Sequence, residues 1–303
     1  MATESEAAVV VGAPAHDESP REAALAGLAA LVTVVLWASA FVGIRAAGED
    51  FSPGPLALGR LVIGSLILGL FVLARREALP RARDLPGIVV CGLLWFGLYN
   101  VALNAGEQRV DAGTAAMLVA VGPIVLALLA GVLLGEGFPR QLLLGCAVAF
   151  VGVAVIGLAV SEASRSSAGV LLCLLAAVAY ASGVVAQKFP LRNVSALQTT
   201  FLCCLVGALA CLPFAPSLVD ELPDSPAASV AWMVYLGALP TALAFTTWAY
   251  ALARTSAGRL GATTYLAPPI SVLLAWAILG ESPPTLALAG GALCLVGVAL
   301  SRR

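Results

Sequence analysis

Residues Pro123–Glu136 read PIVLALLAGVLLGE, and 145 positions further on Pro268–Glu281 read PPISVLLAWAILGE. The Leu, Ala and Val matches between them can follow from composition, but the aligned proline and the aligned Gly-Glu cannot. The correspondence extends outward on both sides. Arg109-Val110-Asp111-Ala112-Gly113 falls on Arg254-Thr255-Ser256-Ala257-Gly258, and Gly152 falls on Gly297, at the same offset. Trp37-Ala38-Ser39 falls on Tyr180-Ala181-Ser182 and Arg45 on Lys188, 143 positions apart. Nearly constant spacing across three separate matches marks the chain as two copies of one unit.

The unit belongs in lipid. Of 303 residues, 61% are hydrophobic and 11% charged, against about 25% charged in soluble chains. A water-facing surface of this size needs more charge, and a helix crosses the hydrocarbon with roughly 20 apolar residues. Cutting at charges and Pro/Gly clusters predicts ten helices near 24–45, 55–75, 87–105, 112–135, 140–160, 168–188, 195–214, 230–252, 259–280 and 285–301. With the N-terminus inside, the inner segments hold 12 Lys and Arg residues and the outer loops only Arg45, Arg109 and Arg165. Basic residues resist translocation, so both termini are expected in the cytoplasm and the chain in a bacterial cytoplasmic (plasma) membrane. Residues 1–23 are acidic and lack the basic start of a signal peptide, so they read as a disordered cytoplasmic tail.

The expected units are then 24–160 and 168–301, five helices each. An odd number turns the second copy upside down, giving an all-α integral membrane protein built as an inverted-topology repeat. Secondary transporters have that architecture, with a solute site near the midplane between the halves.

At this point the sequence resembles the EamA-like ten-helix group of the drug/metabolite transporter superfamily. The resemblance rests on Trp37-Ala38-Ser39-Ala40-Phe41, Arg60, Ala112-Gly113-Thr114-Ala115-Ala116 leading to Pro123, Gly135-Glu136, and the second copy through Gly280-Glu281. It covers residues 24–301. It implies ten helices, cytoplasmic termini, a central cavity, and traffic in amino acids, metabolites, sugar conjugates or drugs by alternating access, with export the expected direction.

Candidate substrate-binding residues follow from groups that hydrocarbon does not tolerate. Arg60 is the one charge well inside a predicted helix, roughly 8 Å from its outer end at 1.5 Å per residue. It reads either as an anchor for a carboxylate or phosphate, or as a side chain that snorkels to the surface or to carbonyls. Its counterpart in the second copy is Cys203, so the charge breaks the symmetry. Pro123 and Pro268-Pro269 fall near the centres of corresponding helices and should free the carbonyls of Val119, Thr264 and Tyr265. Matching interruptions in both halves point to a binding site, though a packing kink has the same signature. Phe96, Asn100, Asn104 and Glu107 form a stripe at helical spacing that suits either a cavity wall or interhelical hydrogen bonds. Trp37 and Tyr180 should face one internal axis from opposite halves, with Ser39, Tyr250, Thr264 and Tyr265 as further polar or aromatic candidates. Trp232 and Tyr235 read as interfacial anchors. Glu136 and Glu281 read as N-terminal caps of the fifth and tenth helices, and the glycines of those helices as a close-packed scaffold or a homodimer contact.

Absences narrow the chemistry. The sole histidine is His16 in the tail, the seven cysteines form no CxxC, and there is no Walker loop, GxGxxG or HExxH. No cofactor or metal is expected, ATP is not the energy source, and the net charge of −1 gives no field for nucleic acid. The expected partners are a small-molecule solute, the lipid bilayer and, through the glycine faces, a second copy. A membrane scaffold or receptor, or an integral-membrane enzyme, are the competing classes; the latter needs a nucleophile–base pair or metal cluster that the sequence lacks.

Overall fold

The computed structural model describes residues 20–109, 115, 118–160, 167–279 and 285–301, and all regular structure among them is helical. Most of the tail, Ala112–Thr114, Ala116, Arg165 and the segment Gly280–Pro284 with Glu281 lie outside the described residues. In chain order the helices are α1 (Pro20–Ala47), α2 (Pro53–Arg75), α3 (Ala82–Glu107), α4 (Gly122–Leu133), α5 (Arg140–Val160) and α6 (Ser167–Lys188). There follow α7 (Ala196–Ala210, bent by 51° into Leu212–Glu221), α8 (Ala227–Arg254), α9 (Ala257–Ile278) and α10 (Thr285–Ser301).

Local chemistry sets the ends. Prolines occupy the first turn of α2, where no N–H partner is lost, and Arg76 stops it in the left-handed region at φ 50. Ser195 and Ser256 cap α7 and α9 by accepting from Gln198 N (3.1 Å) and Arg259 N (3.4 Å). Leu66, Leu70, Phe71 and Leu73 of α2 stand exposed, a surface that hydrocarbon covers without penalty and water does not. Among the described residues six helices (α1, α2, α3, α6, α8, α9) are long and apolar enough to cross a membrane, or seven with bent α7. The protein is multi-pass.

The repeat reappears in backbone geometry. The helix widens to a π-turn at Gly92–Leu98 in α3 and again at Gly237–Leu243 in α8, the same 145-residue offset. Such turns leave carbonyls in search of donors. In α3 the Asn100 amide supplies them, donating to Phe96 O (2.7 Å) and Trp95 O (3.4 Å). In α8 Pro240 removes an N–H from the ladder, and α1 supplies donors: Trp37 Nε1 to Pro240 O (3.2 Å) and Thr33 Oγ1 to Ala244 O (3.1 Å).

Packing follows the same exchange. α1 lies on α8 as α3 lies on α6; α1 meets α9 as α6 meets α4; α2 meets α7, and α5 meets α10. The last pair touches backbone to backbone. A Cβ on Gly152 would come within 2.6 Å of Gly290 O, and one on Gly297 within 2.5 Å of Ala149 N. The small-residue faces are therefore occupied within one chain.

Candidate functional site

The halves enclose a cavity of about 80 Å³, walled by α1 (Trp37, Phe41, Ile44), α3 (Trp95, Tyr99, Leu103), Phe245 of α8 and Tyr180 of α6. The remaining wall is made by the breaks before α4 (Val119, Ala120, Pro123) and inside α9 (Thr264, Ala267, Pro268), and by Arg60 of α2. Trp95 is the hub of the aromatic lining, with ring centroids 4.8 Å from Phe245, 5.5 Å from Tyr180 and 5.7 Å from Trp37. The rings tilt or meet edge to face, as their quadrupoles prefer.

Arg60 carries the one formal charge among the described lining residues. It sits seven residues into α2, about 10 Å along the axis, and is 3% exposed, so it does not snorkel. Close approach of α2 and α8 sets its partner: a Cβ on Gly64 would touch Thr241 Cγ2 at 2.8 Å, and one on Gly237 would touch Arg60 O at 2.8 Å. Through this contact Arg60 Nε donates to Thr241 Oγ1 at 3.1 Å. Among the described residues the guanidinium has no carboxylate partner. Its other four N–H donors form a fork that matches an oxyanion.

The prolines sit at breaks in the helices. Pro123 and Pro268 each lie in the first turn of the helical piece that follows a turn, Pro268 in the middle of α9. Ahead of Pro268 the chain makes a 3-10 turn, Thr264–Leu266, in which Ala267 N takes the Thr264 carbonyl. The breaks thus open the helix wall at matching places and turn Val119, Ala120 and Thr264 toward the cavity.

Six of the twelve predicted residues line the cavity: Trp37, Arg60, Pro123, Tyr180, Thr264 and Pro268. The others do not. Ser39 bonds the Tyr235 hydroxyl (2.5 Å) and Leu36 O, tying α1 to α8. Tyr235 and Trp232 consequently pack on α1, Trp232 against Gly43, rather than serving as interfacial anchors alone. Phe96 and Asn100 are turned into the protein by the π-turn, and Asn104 donates to Pro53 O at 3.0 Å. Tyr250 lies under the Arg254 guanidinium at 3.7 Å, and Tyr265 is buried with Cys146 and Cys294 on the α5–α10 side. The stripe that does reach the cavity is its neighbour, Trp95-Tyr99-Leu103, at four-residue spacing in the sequence. Phe245 was also missed, although it falls on Asn100 under the repeat offset.

Glu136 corrects another expectation. Its carboxylate accepts from Ala257 N (2.7 Å) and Gly258 N (3.1 Å), so it caps α9 of the other half and not α5. Gly135 and Gly137, both at φ 69, shape the loop that carries it there. Lys188 Nζ donates nearby to Leu252 O and Thr255 O, and Asn193 Nδ2 to Asp84 Oδ1 at 2.8 Å. The opposite end of the bundle opens on a polar vestibule of about 860 Å³, lined by Arg45, Glu49, Asp50, Asn104, Glu107, Arg109 and Glu221. Ile44 borders both spaces.

Similarity to known proteins agrees with this geometry. A relative from Streptantibioticus cattleyicolor, named "Probable terminal-alkyne amino-acid exporter", is 40% identical over 91% of this chain and 92% of its own. "Uncharacterized transporter YdfC" of Bacillus subtilis is 34% identical over 87% of this chain and 86% of its own. "Probable amino-acid metabolite efflux pump" of Salmonella typhimurium is 24% identical over 90% and 93%. A solved crystal structure of a protein superposes with a TM-score of 0.75 over 91% of this chain and 98% of that one, at 21% identity, and shares the fold. The EamA-like transporter family profile matches residues 24–158 and again 167–303. The chain, with a cavity between two such copies, therefore belongs to the EamA-like transporter family and is a membrane transporter, not an enzyme.

Proposed function

We propose that the protein exports a small amino-acid-like solute by alternating access, with the solute carboxylate held by Arg60 and its side chain against the aromatic wall. The observation that carries this reading is the buried guanidinium with four donors unused at the edge of a ring-lined cavity. A charge at membrane depth with no hydrogen-bonded carboxylate among the described residues is expensive, and a carboxylate arriving with two parallel acceptors relieves it. The names of the relatives point to the same solute class. The cavity is roughly half the engineered site of about 150 Å³ that admits benzene, so the halves must part a little to seat a solute.

The topology we infer is ten spans in two inverted repeats, with both termini in the cytoplasm of a bacterial plasma membrane. It is supported by the shorter apolar helices Gly122–Leu133, Arg140–Gly152 and Leu288–Gly297 beside the seven longer spans. The excess of Arg and Lys at the Lys188 end of the bundle supports it too. On that orientation the Glu136 and Lys188 contacts close the cytoplasmic end, and the vestibule faces outward.

A thermal-stability screen of the purified protein against amino acids, organic acids, sugars, nucleotides and cationic drugs tests the assignment. A ligand at 100 times its dissociation constant stabilises by about 2.7 kcal/mol. Amino acids should give that shift in the wild type and none in Arg60→Ala, whose unliganded stability should match the wild type. Shifts only with sugars or drugs, or an undiminished shift in Arg60→Ala, would refute the role of Arg60.

A further inference from the structure

Glu107, at the end of α3, is 8% exposed, and among the described residues neither carboxylate oxygen has a hydrogen-bond partner. A carboxylate is acceptor-only, with about four lone-pair sites to satisfy. Buried polar groups are almost always paired, and an orphaned one calls for a missing partner. Its place is specific. Glu107 lines the vestibule, one helical turn beyond Leu103, which lines the cavity. Ile44 of α1 borders both spaces.

The charges around it do not supply the partner. Arg60 of α2 and Arg45 of α1 act on it electrostatically from across the site, yet neither pairs with it. Tyr99 of its own helix and Cys173 of α6 are the other titratable neighbours. The vestibule adds Glu49, Asp50, Arg109 and Glu221. Glu221 is taken up by Ser52, and Asp50 by Ser229.

We propose that Glu107 receives the ammonium group of a zwitterionic amino-acid solute, as Arg60 receives its carboxylate. The inference rests on the reading of Arg60 given above and assigns the group that tells an amino acid from a simple carboxylate. An ammonium brings three donors to a group that lacks any. A simple organic acid leaves Glu107 unpaired and adds a second negative charge beside it. The pair Arg60–Glu107 thus selects against deaminated analogues, because a polar site discriminates most strongly when the wrong ligand strands its buried groups.

The test uses the full chain in detergent, with intrinsic tryptophan fluorescence as the binding signal, since Trp37 and Trp95 line the cavity. The probes are 2-aminopent-4-ynoate and its deaminated analogue pent-4-ynoate. The wild type should bind the amino acid about tenfold or more tighter than the acid. In Glu107→Gln the two affinities should converge to within about twofold while pent-4-ynoate binding is kept. Glu107→Asp should retain the preference. An undiminished amino-acid preference in Glu107→Gln overturns the proposal. So does equal loss of both ligands in Glu107→Gln and Glu107→Asp, which marks a structural role. Loss only of a sodium or pH dependence shared by both ligands overturns it in favour of a coupling cation. Arg60→Gln should lose both compounds; if it keeps both, the Arg60 reading fails on its own account. If neither compound binds the wild type, that reading and this proposal fall together.

Discussion

At the scale of single residues, the site is a balance between burial and partners. Arg60 is held by one hydrogen bond from Nε to Thr241, which orients the guanidinium while leaving the rest of the fork unused. A hydrogen bond to a charged group is worth about 1.5–3 kcal/mol when fully buried. Here the cavity lets water or solute replace part of it. Thr241→Val keeps the shape of the contact with Gly64 but removes the acceptor. It should weaken solute binding by up to about tenfold with little change in unfolding temperature, measured by titration and thermal melt. The charge of Arg60 was legible from one fact, an arginine within an apolar run. Its partner was not, because Thr241 lies 181 positions away and meets it only where glycines bring α2 and α8 together.

At the scale of elements, small local devices join the halves. Glu136 reaches across to the first amides of α9, where a carboxylate is favoured by unpaired N–H groups and the helix dipole. Glu136→Ala should cost about 1 kcal/mol of local stability, the usual loss for a cap. Amide exchange at Ala257–Thr263 should then speed up by several-fold to about tenfold, read by hydrogen–deuterium exchange, with exchange in α2 unchanged. Unchanged exchange at Ala257–Thr263 would mean the contact carries no load. The α5–α10 pair is a second device. Gly152→Ala pushes a methyl to within 3 Å of Gly290 O and Cys294 N, both backbone atoms that yield little. It should lower stability by about 1–3 kcal/mol, seen as a reduced melting temperature. The glycine spacing was readable in the sequence; that the two faces close on each other inside one chain was not. The π-turns were not legible at all. Nothing in GLLWFGL or GALPTAL demands a wide turn by itself, and it persists because Asn100 in one copy and α1 in the other satisfy the loosened carbonyls.

At the scale of the whole molecule, the two stretches that match the family profile meet around a cavity that neither owns. A reporter fused after Arg303 should read as cytoplasmic, as should one fused within the N-terminal tail. A signal from the far side in one fusion alone would break the even count of spans, and from both it would reverse the orientation. The amino-acid sequence by itself determined the solvent, through its apolar runs, and the duplication, through the 145-residue offset of proline, Gly-Glu and glycine. It determined the family, and it picked out Trp37, Arg60, Pro123, Tyr180, Thr264 and Pro268, because a charge, a proline or a symmetric aromatic stands out against leucine. Only the tertiary structure decided which face of α3 looks into the cavity. The π-turn at Gly92–Leu98 widens the helix and rotates the side chains along it, and Trp95 and Tyr99 stand at the wall in place of Phe96 and Asn100. It also decided that Glu136 serves the opposite half and that Glu107 stands buried with no hydrogen-bond partner among the described residues. These are contacts between residues distant in the chain, and helical periodicity carries information about one helix only, not about what that helix will meet.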